Sequence, residues 1–263
     1  FDFDGTLVLS RIDFERMRRR ILDLAGRMGL PCPARRLPAL ELVNEIQQRA
    51  GPGAGRRFSA AAMSVIHEEE TRAVSSARPA PGARRLLDGL KARGVAVGII
   101  TRNSRPTVLH LIRKHRLACD RVFAREDVPA VKPHPAHGRA VLKEFRVSPG
   151  QALCVGDHPM DIRMAKRMGC LSVAVCTGGH TRESFLREKP DFIYDTLDGI
   201  SRLFGILPLS DGKIPAQELD FLLNRWCPSD RSVLVGPAAG VDCAVIRSSR
   251  SVLLGKSDPV TLA

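Results

Sequence analysis

The chain has 263 residues, enough for one large domain or two smaller ones, and its 44% hydrophobic content is ordinary for a protein with a packed core. No apolar run approaches the roughly 20 residues that span a bilayer, so we expect no membrane partner. The net charge of +13 is compatible with nucleic-acid binding, but arginine is spread along the whole chain and aromatic residues make up only 5%. Without aromatic residues for base stacking, we expect no nucleic-acid partner.

Seven cysteines show no paired or zinc-binding spacing, which indicates reduced thiols and a cytoplasmic protein. The chain begins at Phe1 without an initiator methionine, so we expect a piece of a longer protein. Arginine is concentrated in one place, at positions 16, 18, 19 and 20. A solvated helix face explains this run, and attraction of an anionic substrate is the alternative.

The segment Asp2-Phe-Asp-Gly-Thr6 follows the pattern of a short apolar strand that ends in a polar loop. Residues two apart at a strand end face the same side, so Asp2 and Asp4 are expected to act together. One carboxylate would attack an electrophile while the other handles a proton, and both offer hard oxygen ligands to Mg²⁺. The alternative is an Asp-Gly turn with two solvated acids.

Residues 11–80 are predicted to be helical, with helices from Phe14 to Met28, Leu40 to Ala50 and Ser59 to Val74. Glycine and proline clusters at 29–33 and 51–55 are expected to separate them.

After residue 80 the predicted elements alternate between helix and strand. In chain order they are a helix at 82–93, a strand at 95–100, a helix at 105–116, a strand at 121–123, a helix at 136–145, a strand at 152–155, a helix at 160–168, a strand at 171–175, an edge strand at 191–194 and a helix at 197–204. This alternation with short loops predicts an α/β fold with a doubly wound parallel sheet.

Polar side chains follow the predicted strands of this sheet. Thr101 ends one strand, Lys132 precedes Pro133, and Asp157 and Asp161 follow the strand at 152–155. Open α/β sheets bind ligands outside the carboxyl ends of their strands, so these groups are expected to meet Asp2 and Asp4. Taken alone, Thr101 is equally well explained as a strand terminus and Lys132 as an exposed lysine.

The four signals together, from residue 1 to about 205, resemble the haloacid dehalogenase (HAD) superfamily of phosphohydrolases. The resemblance implies a HAD-like Rossmannoid core at 1–10 and 81–205, and a helical C1-type cap inserted at 11–80. It also implies that Asp2 is the nucleophile and Asp4 the general acid and base.

By the same resemblance, Thr101 and Lys132 contact the phosphoryl group, and Mg²⁺ is bound by Asp2, Asp4, Asp157 and Asp161, with Asp4 contributing its carbonyl oxygen. Asp4 favours phosphoryl transfer, because the dehalogenase branch lacks an acid at this place.

The predicted function is therefore a phosphoric monoester hydrolase of the phosphoglycolate phosphatase-like type, acting on a small phosphorylated substrate. A phosphomutase or a pyrophosphatase on the same fold stays open. A phosphonatase is disfavoured, because such enzymes need a cap lysine to form a Schiff base and residues 11–80 contain no lysine. A non-catalytic HAD module attached to an ATP-using domain is the alternative from another class.

The C-terminal part departs from the alternating pattern. Residues 206–213 are predicted to be a linker, a helix is predicted at 214–226, and β runs flank a glycine-rich loop before Asp242. The motifs at 240–246 and 258–261 resemble the start of the PurM-like N-terminal domain of aminoimidazole ribonucleotide (AIR) synthase-related and HypE-type proteins. The resemblance implies an incomplete α+β domain at 214–263, ATP binding that involves Asp242 and Asp258, and dimerisation through the complete domain. A C-terminal β-hairpin that packs on the first domain is the alternative.

Overall fold

A computed structural model describes residues 1–207 and, within the rest of the chain, the backbone of residues 233–235, 243–248 and 251–256. Contacts between residues divide the chain into two units, Phe1–Ile206 and Leu207–Ala263. Among the described helices, none contains an apolar stretch long enough to cross a membrane.

The first unit alternates helices and strands after an initial group of three helices. Its elements are β1 (Val8–Leu9), α1 (Phe14–Arg27), α2 (Ala39–Ala50), α3 (Pro52–Ala73), β2 (Arg78–Pro79), α4 (Ala83–Ala92), β3 (Gly98–Ile100), α5 (Arg105–His115), β4 (Arg121–Phe123), α6 (Pro135–Phe145), β5 (Leu153–Gly156), α7 (Pro159–Met168), β6 (Leu171–Val175), α8 (Arg182–Leu186), β7 (Phe192–Tyr194) and α9 (Leu197–Leu203). Most predicted boundaries agree with these within one or two residues, and the short strands β1 and β2 and helix α8 were not predicted.

The sheet is built from parallel strands joined through the first residues of the chain. β3 pairs with β4, and β5 pairs with β6, which pairs with β7, all in parallel. Between these groups the amide of Ile100 donates to the carbonyl of Phe1, and the amide of Asp2 donates to the carbonyl of Val155, both at 2.8 Å. The strand order is therefore β4-β3-(residues 1–3)-β5-β6-β7. The predicted α/β fold with parallel strands is confirmed, and residues 1–3 lie at the centre of the sheet.

The strand predicted at 95–100 is shorter than expected, because two of its amides bond elsewhere. The amide of Val95 donates to the carbonyl of Leu90 at the end of α4, at 3.0 Å. The amide of Val97 donates to the carboxylate of Asp120 at 2.7 Å. The ladder with β4 begins only at Gly98.

Helices α1 to α3 pack on one another through their own apolar cluster, and we call them the three-helix segment. The cluster consists of Met17, Ile21, Ala25, Leu42, Val43, Ile46, Phe58, Ala62 and Ile66. Asp13 caps α1 by accepting a hydrogen bond from the amide of Arg16 at 2.8 Å.

The start of α3 was predicted wrongly at Ser59, because the glycine and proline residues at 51–55 were taken as a helix break. Pro52 instead occupies the first turn of α3, where a missing amide hydrogen does not matter. Gly55 lies against α2, and a Cβ atom there would come within 2.3 Å of the carbonyl oxygen of Gln47. This glycine allows close helix packing.

In the second unit, the described strands form an antiparallel sheet. They are β8 (Val233–Val235), β9 (Cys243–Ser248) and β10 (Ser251–Lys256), in the order β10-β9-β8. β9 and β10 pair residue by residue from Ser248 and Ser251 outward, as in a hairpin. Residues 208–213 of the linker predicted at 206–213, the predicted helix at 214–226, Asp242 and Asp258 lie outside the described residues.

Candidate active site

Three of the predicted site carboxylates meet at the carboxyl edge of the sheet. Asp2, Asp157 and Asp161 each offer an oxygen within 4.8 Å of the others, and all three side chains are buried. Lys132 lies beside them, 3% exposed. Its Nζ atom forms an ion pair with Asp2 and another with Asp161, the latter at 2.8 Å. The structure thus brings together residues that are up to 159 positions apart in the sequence.

The turn after Asp4 holds this cluster in place. Gly5 has a φ of +87°, and a Cβ atom there would lie 2.2 Å from Oδ2 of Asp157. Only glycine satisfies both the backbone angle and the close approach. The next residue, Thr6, donates its hydroxyl to Asp157 at 2.7 Å and lies 3.2 Å from Asp2.

Asp4 faces a different set of partners, and its carboxylate does not belong to the three-acid cluster. Ser10 donates its hydroxyl to one oxygen of Asp4 at 2.7 Å. The side-chain amide of Asn103 donates to the other oxygen at 3.0 Å, and the Thr101 hydroxyl lies 3.5 Å from it. The two acids of the motif therefore have separate surroundings, although only one residue stands between them.

The separate surroundings shift the two pKa values in opposite directions. Burial alone would raise the pKa of Asp2, but the charge of Lys132 and hydrogen bonds from Asp157 and Lys132 outweigh it, so the pKa is lowered. Burial raises the pKa of Asp4 to about 6, and the charge of Asp2 adds to the effect. The pair is therefore one ionised carboxylate and one carboxyl group that holds its proton into the weakly acidic range.

The pKa values of the other two carboxylates are raised, chiefly by burial. Burial, followed by the charge of Asp2, raises the pKa of Asp157 to about 9. Burial also raises the pKa of Asp161 to about 6, with Lys132 opposing the shift. Three buried acids with one lysine carry excess negative charge, and their donor atoms are all oxygens. This donor set fits a hard divalent cation such as Mg²⁺.

Lys132 is held as a cation and fixed through its backbone. Burial alone would lower its pKa, but Asp161 and Asp2 outweigh burial and raise it. The amide of Lys132 donates to Nδ1 of His137 at 3.2 Å, and Nε2 of His137 lies 3.0 Å from the carbonyl oxygen of Phe123. That carbonyl also accepts the amide of Thr101 at 2.9 Å. His137 therefore links the backbone of Lys132 to that of Thr101.

The acidic cluster lies in a cavity of about 660 Å³ that the three-helix segment also lines. The side chains from the sheet edge include Asp2, Asp4, Thr101, Lys132, Asp157 and Asp161. Those from the helical side include Ile12, Phe14, Met17, Arg18, Leu37, Leu40 and Ile66. One wall is therefore charged and the other is mostly apolar.

A profile of the family described as haloacid dehalogenase-like hydrolase matches residues 1–169, which is more than half of the chain. The chain belongs to the haloacid dehalogenase-like hydrolases. Phosphoglycolate phosphatase of Salmonella paratyphi A is 34% identical over 129 residues, which cover 48% of this chain and 51% of that protein. The chain thus spans about half the length of the curated relatives it matches.

Solved structures share the fold of this HAD-like chain. A hydrolase from Pseudomonas syringae is similar with a TM-score of 0.60 and 20% identity, covering 79% of this chain and 97% of that one. A haloacid dehalogenase-like family protein from Streptococcus pneumoniae has a TM-score of 0.55 and 20% identity, covering 78% of this chain and 96% of that one. At such identities the likeness supports the fold alone.

Two ion pairs connect the three-helix segment to the sheet edge of this HAD-like unit. Glu70 of α3 pairs with Arg125, and both side chains are almost fully buried, at 5% and 7% exposed. Glu41 of α2 pairs with Arg102 at 2.6 Å. The Arg125 guanidinium also donates to the carbonyl of Arg102 at 3.2 Å. The helices are therefore joined to the loops that surround the site.

Several residues that shape the site were not singled out from the sequence. Thr6 is the last residue of the segment that begins at Asp2, and Ser10 lies four residues further on; their hydroxyls were the available signal. Thr177 follows β6 and donates to the carbonyl of Gly5 at 2.6 Å. The glycine next to it, Gly178, would bring a Cβ atom within 1.8 Å of Asp157. The position of this Thr-Gly pair after a strand was the sequence signal. For His137 no local signal existed.

Proposed function

We propose that this protein is a Mg²⁺-dependent phosphatase that hydrolyses a small phosphate monoester through an aspartyl-phosphate on Asp2. The observation that carries the proposal is the position of two acids at the edge of one cavity: Asp2 lies against Lys132 in the three-acid cluster, whereas Asp4, whose pKa is raised to about 6, faces Ser10 and Asn103. A nucleophile and a proton donor with opposite pKa shifts are what a two-step phosphoryl transfer needs.

Asp2, Asp157 and Asp161 would hold the cation through their side chains, and the predicted contribution of the Asp4 carbonyl stays part of the proposal. When bound, Mg²⁺ neutralises charge on the carboxylates and the phosphoryl oxygens. The raised pKa values of Asp157 and Asp161 support this assignment, because buried carboxylates that repel one another are stabilised by a cation.

In the first step, an oxygen of Asp2 forms a bond to phosphorus while the bond from phosphorus to the substrate alcohol breaks. Asp4 transfers its proton to the departing oxygen. In the second step, Asp4 accepts a proton from water as the water oxygen bonds to phosphorus. The bond between Asp2 and phosphorus then breaks, and inorganic phosphate is released.

Thr101 and Lys132 bind phosphoryl oxygens in this proposal. The hydroxyl of Thr101 supplies a hydrogen bond, and the ammonium of Lys132 supplies positive charge beside Asp2. Through His137, the backbone of Lys132 is held at a fixed position relative to the backbone of Thr101. In this proposal the Lys132 ammonium and the Thr101 hydroxyl therefore bind the same phosphoryl group.

The three-helix segment serves as the cap that covers the site, with the domain bounds predicted above. Its apolar side chains exclude water from the reacting groups. The phosphoglycolate phosphatases among the relatives support a small phosphorylated substrate. A cytoplasmic location stays a prediction from the cysteine pattern.

A steady-state assay tests the proposal. Purified protein with MgCl₂ is expected to release inorganic phosphate from 4-nitrophenyl phosphate, to lose this activity on chelation with EDTA, and to regain it when Mg²⁺ is restored. Product analysis separates the alternatives, since a phosphomutase returns an isomeric ester and a pyrophosphatase prefers pyrophosphate. No phosphate release from any of these compounds would support a non-catalytic module.

For residues 214–263 we propose the start of a PurM-like domain, supported by the motifs around Asp242 and Asp258 alone. ATP binding and dimerisation belong to this proposal. Equilibrium dialysis of the full chain against ATP tests it, and binding that survives Asp242→Asn and Asp258→Asn would contradict the assignment of these residues.

A further inference from the structure

The arginine run on α1 is divided by the structure between two surfaces. Arg16 and Arg20 lie one helical turn apart and both pair with Glu69 of α3, at 3.3 and 2.8 Å. Arg18 lies two residues from each of them, which is a rotation of about 200° around the helix axis, so it projects from the opposite side of α1. It lines the cavity above the acidic cluster, together with Phe14. The run is therefore more than a solvated helix face.

Arg18 differs from the other cationic side chains of the cavity. Arg36 pairs with Glu15, Arg102 with Glu41, Arg125 with Glu70, and Lys132 with Asp2 and Asp161. Arg18 has no carboxylate partner in the part of the chain that the structure describes. Its Nε atom is buried and has no hydrogen-bond partner.

An unpartnered, buried guanidinium nitrogen is costly, because desolvation is not offset by a hydrogen bond. Such a group is stabilised when a ligand supplies an anionic oxygen, and the planar guanidinium suits carboxylate and phosphate groups. In the proposed function, Lys132 and Thr101 already bind the phosphoryl group that reacts. An anionic group bound by Arg18 would therefore be a second anionic group on the same substrate.

The surroundings of Arg18 indicate what connects the two anions. The rest of the helical wall is mostly apolar and includes Ile12, Met17, Leu37, Leu40 and Ile66. Its other charged side chains, Glu15, Arg36 and Glu70, are already in ion pairs. A cavity of about 660 Å³ lies within the size range of small-molecule sites, and it holds a body of several carbon atoms besides a phosphoryl group.

We propose that Arg18 binds a second anionic group on the substrate, and that the substrate is a phosphate monoester of an alcohol with an apolar body and that second anion. This rests on the proposed phosphatase function and adds a specificity residue to it. Arg18 touches the leaving group and takes no part in the bond changes at phosphorus.

The test compares two esters of equal shape, 4-carboxyphenyl phosphate and 4-carbamoylphenyl phosphate, which differ in one negative charge. Release of phosphate gives kcat/KM for each. The wild-type protein is expected to prefer the carboxylate, and Arg18→Met is expected to lower kcat/KM for the carboxylate by about 10- to 100-fold, the range for a charged hydrogen bond. The amide ester is expected to change by less than about threefold, since it makes no such bond.

Arg19→Met is the matched control, because Arg19 is exposed on the same helix and does not line the cavity. It is expected to leave both values unchanged. Equal losses for both esters in Arg18→Met would mean that Arg18 acts on the reacting phosphoryl group or on the fold, and would overturn the inference. A wild-type protein that turns over both esters equally well would also overturn it. If neither ester is hydrolysed, the proposed function itself fails.

Discussion

The sheet edge and the three-helix segment line the same cavity, but they hold their charges differently. At the sheet edge, charges face one another, with Lys132 between Asp2 and Asp161. On the helices, charges pair on the outside, as Arg20 does with Glu68 at 2.6 Å. The helical side chains that line the cavity are mostly apolar, and the charged ones among them, Glu15, Arg36 and Glu70, are paired, unlike Arg18. The edge thus holds more acids than cations, whereas one cation of the helical wall, Arg18, has no acidic partner in the described part of the chain. We infer that the edge determines the reaction and the helices select the substrate.

Removal of the proposed nucleophile, Asp2, tests whether the sheet edge determines the reaction. Asp2→Asn is expected to lower kcat with 4-nitrophenyl phosphate by about 10⁴-fold or more, since no other group replaces a covalent nucleophile. Phosphate release with MgCl₂ present measures the effect. Asp88→Asn, at an exposed position of α4, is the control and is expected to keep full activity. Residual activity above a tenth of wild type would exclude Asp2 as the nucleophile.

The role of Asp4 is tested by the leaving group. Asp4→Asn is expected to lower turnover of an alkyl phosphate by about 10²- to 10⁴-fold, the range for general acid–base catalysis. The loss in the first step is expected to be smaller for 4-nitrophenyl phosphate, whose leaving group departs without a proton. Burst kinetics with the two esters measure this step. Identical losses for both esters would argue against Asp4 as the proton donor.

The buried ion pair between the two regions is expected to affect stability. Arg125→Met leaves Glu70 buried without its partner, and should lower the free energy of unfolding by about 3–5 kcal/mol. Arg35→Met, which breaks the exposed pair with Glu45, should cost less than about 1 kcal/mol. Urea denaturation monitored by circular dichroism compares the two variants. Similar costs would show that the buried pair contributes no more to stability than an exposed pair does.

The smallest effect concerns His137, whose pKa is lowered to about 4 by burial. The unfolded chain takes up this proton near pH 6.5 and the folded protein does so only near pH 4. Stability from the neutral ring is therefore complete above pH 6.5 and is lost as pH falls through this window, by roughly 3 kcal/mol. His137→Gln removes the titration, so its unfolding free energy should fall less between pH 7 and 4. Parallel curves for the two proteins would contradict a neutral His137.

The strands and helices of the first unit could be predicted because their apolar periodicity and the glycine and proline residues that separate them are local features of the sequence. Strand β6 and strand β4 have the predicted bounds. The exceptions have tertiary causes. Gly55 is tolerated inside α3 because it lies against α2, and Val97 leaves the ladder because Asp120 accepts its amide. Neither partner is adjacent in the sequence, so no local pattern revealed them.

The residues of the site likewise fall into those that local sequence patterns predict and those that depend on tertiary contacts. Asp2, Asp4 and Asp157 could be named in advance, because acids that follow strands of a parallel sheet meet at one edge. The roles assigned to them stay predictions. His137 was not predicted, and Arg18 was named only as one of a run of four arginines, because the importance of each depends on what surrounds it in the fold. The separation of Asp4 from the three-acid cluster likewise depends on Ser10 and Asn103, whose positions only the fold gives.

The most direct test of the central claim is to trap the covalent intermediate. The protein is mixed with substrate and MgCl₂, quenched within the first turnover, reduced with borohydride and examined by peptide mass spectrometry. An acyl phosphate is reduced to an alcohol, so the account predicts homoserine at position 2 and at no other acid, and none without substrate. Turnover without homoserine at position 2, or with homoserine at position 4 or 157, would contradict the account.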